Sequence, residues 1–97
     1  MKTLDEIKEI LTKHKEEVQQ EYKVSELGIS GSFVRGEQKK RSDIDILVEY
    51  SELPDLLKLI ELENRLQKLL KRKVDLIEKS GIRTELKEII LKEVVYI

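Results

Sequence analysis

The chain predicts an α/β fold, α+β in the looser sense: a small mixed β-sheet with helices covering its buried surface. Three observations lead there. The apolar residues switch between helical and strand spacing in the order helix, strand, strand, helix, strand, helix. The link between the first two strands is too short for a crossover, so they should pair antiparallel. The second strand, the helix after it and the third strand form a βαβ unit. Those two strands should therefore run parallel and adjacent, with a right-handed crossover.

Each element has its own warrant. Leu4, Ile7, Leu11, His14, Val18 and Tyr22 recur at spacings of three and four, which predicts a helix over 3–22. Thr3 and Glu6 suit a capping box at its start. His14 on that stripe is expected to be a packed or half-buried structural residue. Over 23–30 the period changes, and Val24, Leu27 and Ile29 suit a strand entering a Gly31-Ser32 turn. A short helix begins at Phe33-Val34, and 36–41 is a polar loop. Residues 43–50 make the second strand, whose unbroken run Ile46-Leu47-Val48 implies burial on both faces. Pro54 opens the next helix, which Asp55 favours electrostatically and which runs to Lys71. Its expected buried stripe is Leu56, Leu59, Ile60, Leu66, Leu69 and Leu70. Residues 73–78 alternate around Val74 and Leu76 as the third strand, and Ser80-Gly81 breaks the chain. The last helix covers 82–93 with Leu86, Ile89 and Ile90 inward; 94–97 either continues it or folds back as an extended tail.

Composition narrows the function classes. A chain of 97 residues is expected to be one domain spanning 1–97 around a single core. There is no cysteine, which excludes disulfides and thiolate metal sites. The opening residues carry no apolar signal core and no segment approaches membrane-spanning length, so a cytoplasmic location without membrane contact is expected. Lys and Arg total 19 against 20 Asp and Glu, a formal charge of −1, so direct nucleic-acid binding through bulk charge is not expected. Tyr22, Tyr50 and Tyr96 are too scattered to form a base-stacking platform. Charged residues reach 40% of the chain, a balance that leans towards a thermophilic source.

The most informative stretch runs from Gly31 to Asp45. A Gly-Ser pair is followed by ten residues and then Asp43-x-Asp45, placed at the start of an apolar strand. Two carboxylates two positions apart on a strand share a face, about 6.6 Å apart along the chain. That arrangement suits one or two divalent cations held by hard oxygen ligands. Backbone N–H groups of the Gly31-Ser32 turn can meet a phosphate. A third acid, Asp75, lies near the beginning of the third strand. If the second and third strands are parallel neighbours, Asp75 faces the first two acids across one strand spacing, about 4.8 Å. Three converging carboxylates repel one another and raise at least one pKa. Bound Mg²⁺ removes that conflict, which is why the trio is expected to be a metal site. Arg35 and Arg41 can offer bidentate contacts to phosphates. The runs Lys39-Lys40-Arg41 and Lys71-Arg72-Lys73 precede the acid-bearing strands and can line the rim of the site.

Gly31-Ser32, Asp43-x-Asp45 and Asp75 one crossover later resemble the nucleotidyltransferases of the DNA polymerase beta superfamily. With Arg35-Gly36 and Ser42 also in place, the whole chain is similar to the minimal nucleotidyltransferase (MNT) proteins, antitoxins of HEPN/MNT toxin–antitoxin pairs. The resemblance implies a polymerase beta-like nucleotidyltransferase fold. It implies that Asp43, Asp45 and Asp75 ligate Mg²⁺ and carry catalysis, and that Gly31 and Ser32, with Arg35, Arg41 and Ser42, hold the phosphates of an ATP donor. It implies adenylylation of a tyrosine on a HEPN ribonuclease toxin partner, which silences it. Two Mg²⁺ ions about 3.5–4 Å apart would clamp the attacking and leaving oxygens, with pyrophosphate released. Ser30 departs from the pattern, which carries an apolar residue before Gly-Ser. Two other readings stand beside this one: a degenerate domain that neutralises its partner by binding alone, and a transferase acting on a small molecule.

Overall fold

The structure, a computed structural model, describes residues 2–97. Helix α1 (Leu4–Tyr22) starts at the predicted capping box: the Thr3 hydroxyl accepts from the Glu6 N–H at 3.3 Å, and the Glu6 carboxylate accepts from the Thr3 N–H at 3.3 Å. Strand β1 (Val24–Ser30) leads into a single helical turn, α2 (Ser32–Arg35), and then into β2 (Ile44–Tyr50). Helix α3 (Leu56–Leu70) crosses to β3 (Val74–Glu78), and a 3-10 turn (Lys79–Gly81) leads to α4 (Thr84–Glu93) and a short β4 (Val95–Tyr96). The sheet order is β3-β2-β1-β4. β1 pairs antiparallel with β2, and β2 parallel with β3, as predicted.

The sheet sorts side chains by the two-residue period of a strand. Ile44, Ile46 and Val48 of β2 join Ile7, Leu11 and Val18 of α1 and Leu62, Leu66 and Leu70 of α3 in one buried cluster. Asp45 alternates with these residues and so lies on the opposite face of β2, with Leu47. The two long helices therefore cover one face of the sheet, and the acids belong to the other.

Several expectations need correction. α3 buries Leu62, Leu66 and Leu70, whereas Leu56 and Ile60 are exposed and Leu59 and Leu69 only partly covered. Leucines occupy more than one face of this helix, so periodicity left its phase open; the face that meets the sheet decides it. Pro54 lies ahead of the helix, and Asp55 is the cap, its carboxylate accepting from the Lys58 N–H at 2.9 Å. α4 buries none of its residues fully: Leu86 and Ile89 are exposed and Ile90 is partly covered. Asp43 falls just outside β2. His14 is half-buried with Nδ1 2.8 Å from Glu17, a structural role as expected.

The tail folds back. β4 runs antiparallel to β1, with Gly28 opposite Tyr96 and Ile29 opposite Val95. A Cβ on Gly28 would stand 2.7 Å from Val94 Cγ1, so a larger residue there would push the tail off. Among the described residues, no helix is long and apolar enough to cross a membrane.

Candidate active site

The parallel register sets Asp45 of β2 directly beside Asp75 of β3. Paired residues of parallel neighbours project from the same face, so both carboxylates belong to the face away from α1 and α3. Asp43 precedes β2 by one residue and shares that neighbourhood. The electrostatics report the convergence: the Asp45 carboxyl is pushed above its ordinary range by burial first, then by the charges of Asp75 and Asp43, while Arg35 opposes the rise and Glu93 adds to it.

The Gly31-Ser32 turn is pressed against Asp45. Gly31 has φ +81° and ψ −155°, a region open essentially to glycine alone. A Cβ at this position would lie 2.1 Å from Asp45 Oδ2. The turn thus brings backbone to the edge of the acid group, an approach that only hydrogen in place of a side chain allows. Ser30, just before it, is 2% exposed and is the buried polar residue among the described core positions.

The donor set suits a hard divalent cation: carboxylate oxygens, with neither thiol nor imidazole among them. As placed, no three acidic or imidazole groups among the described residues stand close enough together to grip an ion. The raised pKa of Asp45 and the close approach of Gly31 to its carboxylate both fit a residue that would hold a cation.

The remaining predicted residues are placed as follows. Arg35 ends α2 and pairs with Glu37 through Nε at 3.0 Å and with Glu93 through Nη1 at 3.0 Å. These two carboxylates, Glu37 first, hold its guanidinium pKa above the ordinary value. Arg41 and Ser42 line an open depression of about 220 Å³ together with Lys40, Asp43, Arg72 and Lys73. The Ser42 hydroxyl oxygen accepts from the Lys39 N–H at 2.7 Å, so it shapes the turn that delivers Asp43. Lys73 Nζ lies 4.0 Å from Asp43 Oδ2.

Two residues escaped sequence reasoning. Arg72, grouped there with a wet basic rim, is half-buried. Its Nε donates to the Ser42 carbonyl at 2.6 Å, and Nη2 donates to the carbonyls of Lys39 and Lys40 at 3.0 and 2.6 Å. Its guanidinium also lies over the Phe33 ring, 5.3 Å from the centroid. One side chain thus ties the loop before Asp43 to the turn after Gly31. A single point charge cannot reproduce this fork, so Lys is no substitute. Arg72→Ala is expected to lower transfer roughly ten- to hundred-fold through loop displacement, and Arg72→Lys to recover only part of that loss. Steady-state kinetics on the two variants, with melting curves alongside, would check it. Glu93 is the second missed residue: its Oε1 accepts from the Gly31 N–H at 2.8 Å and from Arg35. No local pattern signals either one, because their partners lie about thirty and sixty residues away in sequence.

Comparison with known proteins agrees with this fold. The pattern of the nucleotidyltransferase domain family matches residues 11–97. The chain is 50% identical over 97 residues to protein adenylyltransferase MntA of Thermococcus cleftensis, covering 100% of this chain and 98% of that protein. A solved structure described as a minimal nucleotidyltransferase superposes with a TM-score of 0.73 at 31% identity, over 90% of this chain and 92% of the other. A likeness of fold alone, at 21% identity and a TM-score of 0.65, extends to a structure of a tri-AMPylated Shewanella oneidensis HEPN toxin in complex with MNT antitoxin, over 93% of this chain and 70% of that one.

Proposed function

Because this chain belongs to the nucleotidyltransferase domain family, and within it to the protein adenylyltransferases, we propose that it is an MNT antitoxin that transfers AMP from ATP to a tyrosine of a HEPN-domain toxin. The observation that carries the reading is the side-by-side placement of Asp45 and Asp75, with Gly31 backed onto Asp45. A domain that neutralised its partner by contact alone would gain nothing from this repulsion.

Asp43, Asp45 and Asp75 would hold Mg²⁺, which supplies charge neutralisation for the phosphates and for the oxygen that attacks them. The chain's own groups do the rest. The Gly31-Ser32 turn receives the phosphates, and Arg35 from the end of α2 and Arg41 from the loop after it are the cations to pair with them. Asp75, the most exposed of the three acids, is open to an incoming hydroxyl and can accept its proton. The tyrosine oxygen then bonds to the α-phosphorus, the bond from that phosphorus to the bridging oxygen breaks, and pyrophosphate leaves. Positioning and electrostatics account for most of the effect in such transfers.

ATP as donor, a HEPN toxin as acceptor and two ions in the site are parts of this proposal. The relative solved with an AMPylated HEPN toxin supports the acceptor class. The test is incubation of the purified chain with α-labelled ATP, Mg²⁺ and the product of a neighbouring HEPN gene, followed by mass spectrometry of the partner. AMP on a partner tyrosine is the expected result. Unlabelled partner that is nevertheless silenced would establish neutralisation by binding instead.

A further inference from the structure

We infer that Glu93 is a positioning residue of the nucleotide site, holding Gly31 and Arg35 in the geometry that receives phosphate. This rests on the reading of Gly31–Arg35 as the phosphate-binding segment.

Glu93 is the last residue of α4, far from the motif in sequence, yet its carboxylate reaches both ends of the short segment that follows β1. Oε1 accepts from the Gly31 N–H at 2.8 Å, and Arg35 Nη1 lies 3.0 Å from each carboxylate oxygen. The side chain is 20% exposed, whereas that of Arg35 is 46% exposed. A half-exposed arginine on a single turn of helix would otherwise sample many rotamers, and fixing it beforehand lowers the ordering cost of binding. Gly31 carries a backbone conformation that its own helix does not enforce, and the bond from Glu93 fixes it from outside.

The anchorage of Glu93 is itself defined. The residues after it form β4, paired to Gly28 and Ile29 just ahead of the turn, with Val94 set against Gly28. The tail and the turn are therefore clamped to the same stretch of β1, and Glu93 bridges the gap between them. Its contacts occupy Nη1 of Arg35, and Glu37 takes Nε, which leaves Nη2 outside both pairs for a phosphate oxygen. The carboxylate thus orients the arginine with Nη2 still outside its ion pairs, while it takes the Gly31 N–H for itself. That N–H fixes the turn, and the phosphate contacts fall to Ser32 and to Nη2.

The experiment compares Glu93→Ala, Glu93→Gln and Arg35→Ala with the unaltered chain, using calorimetric titration of a non-hydrolysable ATP analogue with Mg²⁺ and steady-state transfer. Glu93→Ala is expected to weaken analogue binding and raise KM for ATP by about ten-fold, with kcat within about two-fold, because the loss is one of orientation before chemistry. Glu93→Gln keeps an oxygen acceptor for the Gly31 N–H but loses the charge that faces Arg35, so it should recover part of the binding. The split between KM and kcat in Glu93→Ala is what a purely structural loss would not give. Unchanged or tighter binding in Glu93→Ala, or a fall in kcat at constant KM, would overturn the inference. Arg35→Ala separates the two readings. If it leaves analogue binding unchanged, the phosphate assignment itself fails and takes this role with it. If it weakens binding while Glu93→Ala does not, only the Glu93 role is lost.

Discussion

Asn in place of Asp45 should abolish AMP transfer and yet make the ion-free protein harder to melt. The loss of activity is expected to be at least on the order of a thousand-fold, since groups that merely support metal ligands already cost about 10–100-fold. The gain in stability follows from the direction of the Asp45 shift. Burial and the charges of Asp75 and Asp43 raise its folded-state pKa above the ordinary value of 3.8. Between that value and the raised one, the folded chain binds more protons than the unfolded chain. Stability therefore falls as pH rises through this window, the reverse of a salt-bridged carboxylate. Asn carries no such charge and removes the slope. Partial exposure of Asp45 limits the gain to a few tenths of a kcal/mol, or about 1–3 °C in Tm for a domain of this size. Mg²⁺ should raise the Tm of the unaltered protein more than that of the variant, because only the former has the full set of ligands to neutralise. Melting curves with and without Mg²⁺, from pH 4 to 7, test all of this. An Asn variant less stable than the parent under every condition would show that Asp45 is held by favourable contacts and is no strained ligand.

Gly31→Ala should damage both folding and chemistry. Its backbone conformation costs a residue with a side chain about 1–3 kcal/mol, and the new methyl would stand 2.1 Å from Asp45 Oδ2. Either the turn lifts or Asp45 swings away; both outcomes separate the phosphate donors from the acids. A Tm lower by roughly 8–16 °C corresponds to about 2 kcal/mol at the 4–8 °C per kcal/mol expected of a small domain. Transfer should fall about a hundred-fold, the usual consequence of displacing a reacting group by an ångström. Gly36→Ala is the control. Gly36 also has positive φ, +71°, but nothing lies within 4 Å of the place a Cβ would take. It should lose about 1–2 kcal/mol of stability with a much smaller effect on transfer. Equal losses of activity in the two variants would remove the special place given to the contact between Gly31 and Asp45.

The pairing of Asp45 with Asp75 across β2 and β3 was legible from the chain, and the reason is topological. A βαβ connection forces parallel neighbours, parallel neighbours share an origin, and the count from each strand start then sets Asp75 beside Asp45. The capping box at Thr3 and Glu6 was equally legible because it is a short-range device. What sequence could not supply is anything decided by three-dimensional partners. The phase of α3 is set by which of its leucine faces meets the sheet, and helical spacing accommodates several. The spacing of Leu86, Ile89 and Ile90 predicts a core-facing α4, yet Leu86 and Ile89 stay exposed and Ile90 is only partly covered. Arg72 and Glu93 look like ordinary surface charges because their bonding partners come from remote segments. A basic run next to a strand says nothing about whether one member turns inward to collect three carbonyls.

The return of β4 beside β1 has a practical consequence for handling this protein. Anything fused after Ile97 is tethered two residues beyond a strand that shares its partner with the Gly31 turn. A bulky carboxyl-terminal affinity tag would crowd the β4 edge beside Gly28 and Ile29, whereas an amino-terminal tag joins the chain ahead of the capped start of α1. Nucleotide affinity is therefore best compared between carboxyl-terminal and amino-terminal fusions, where a weaker value for the former alone would report displacement of β4.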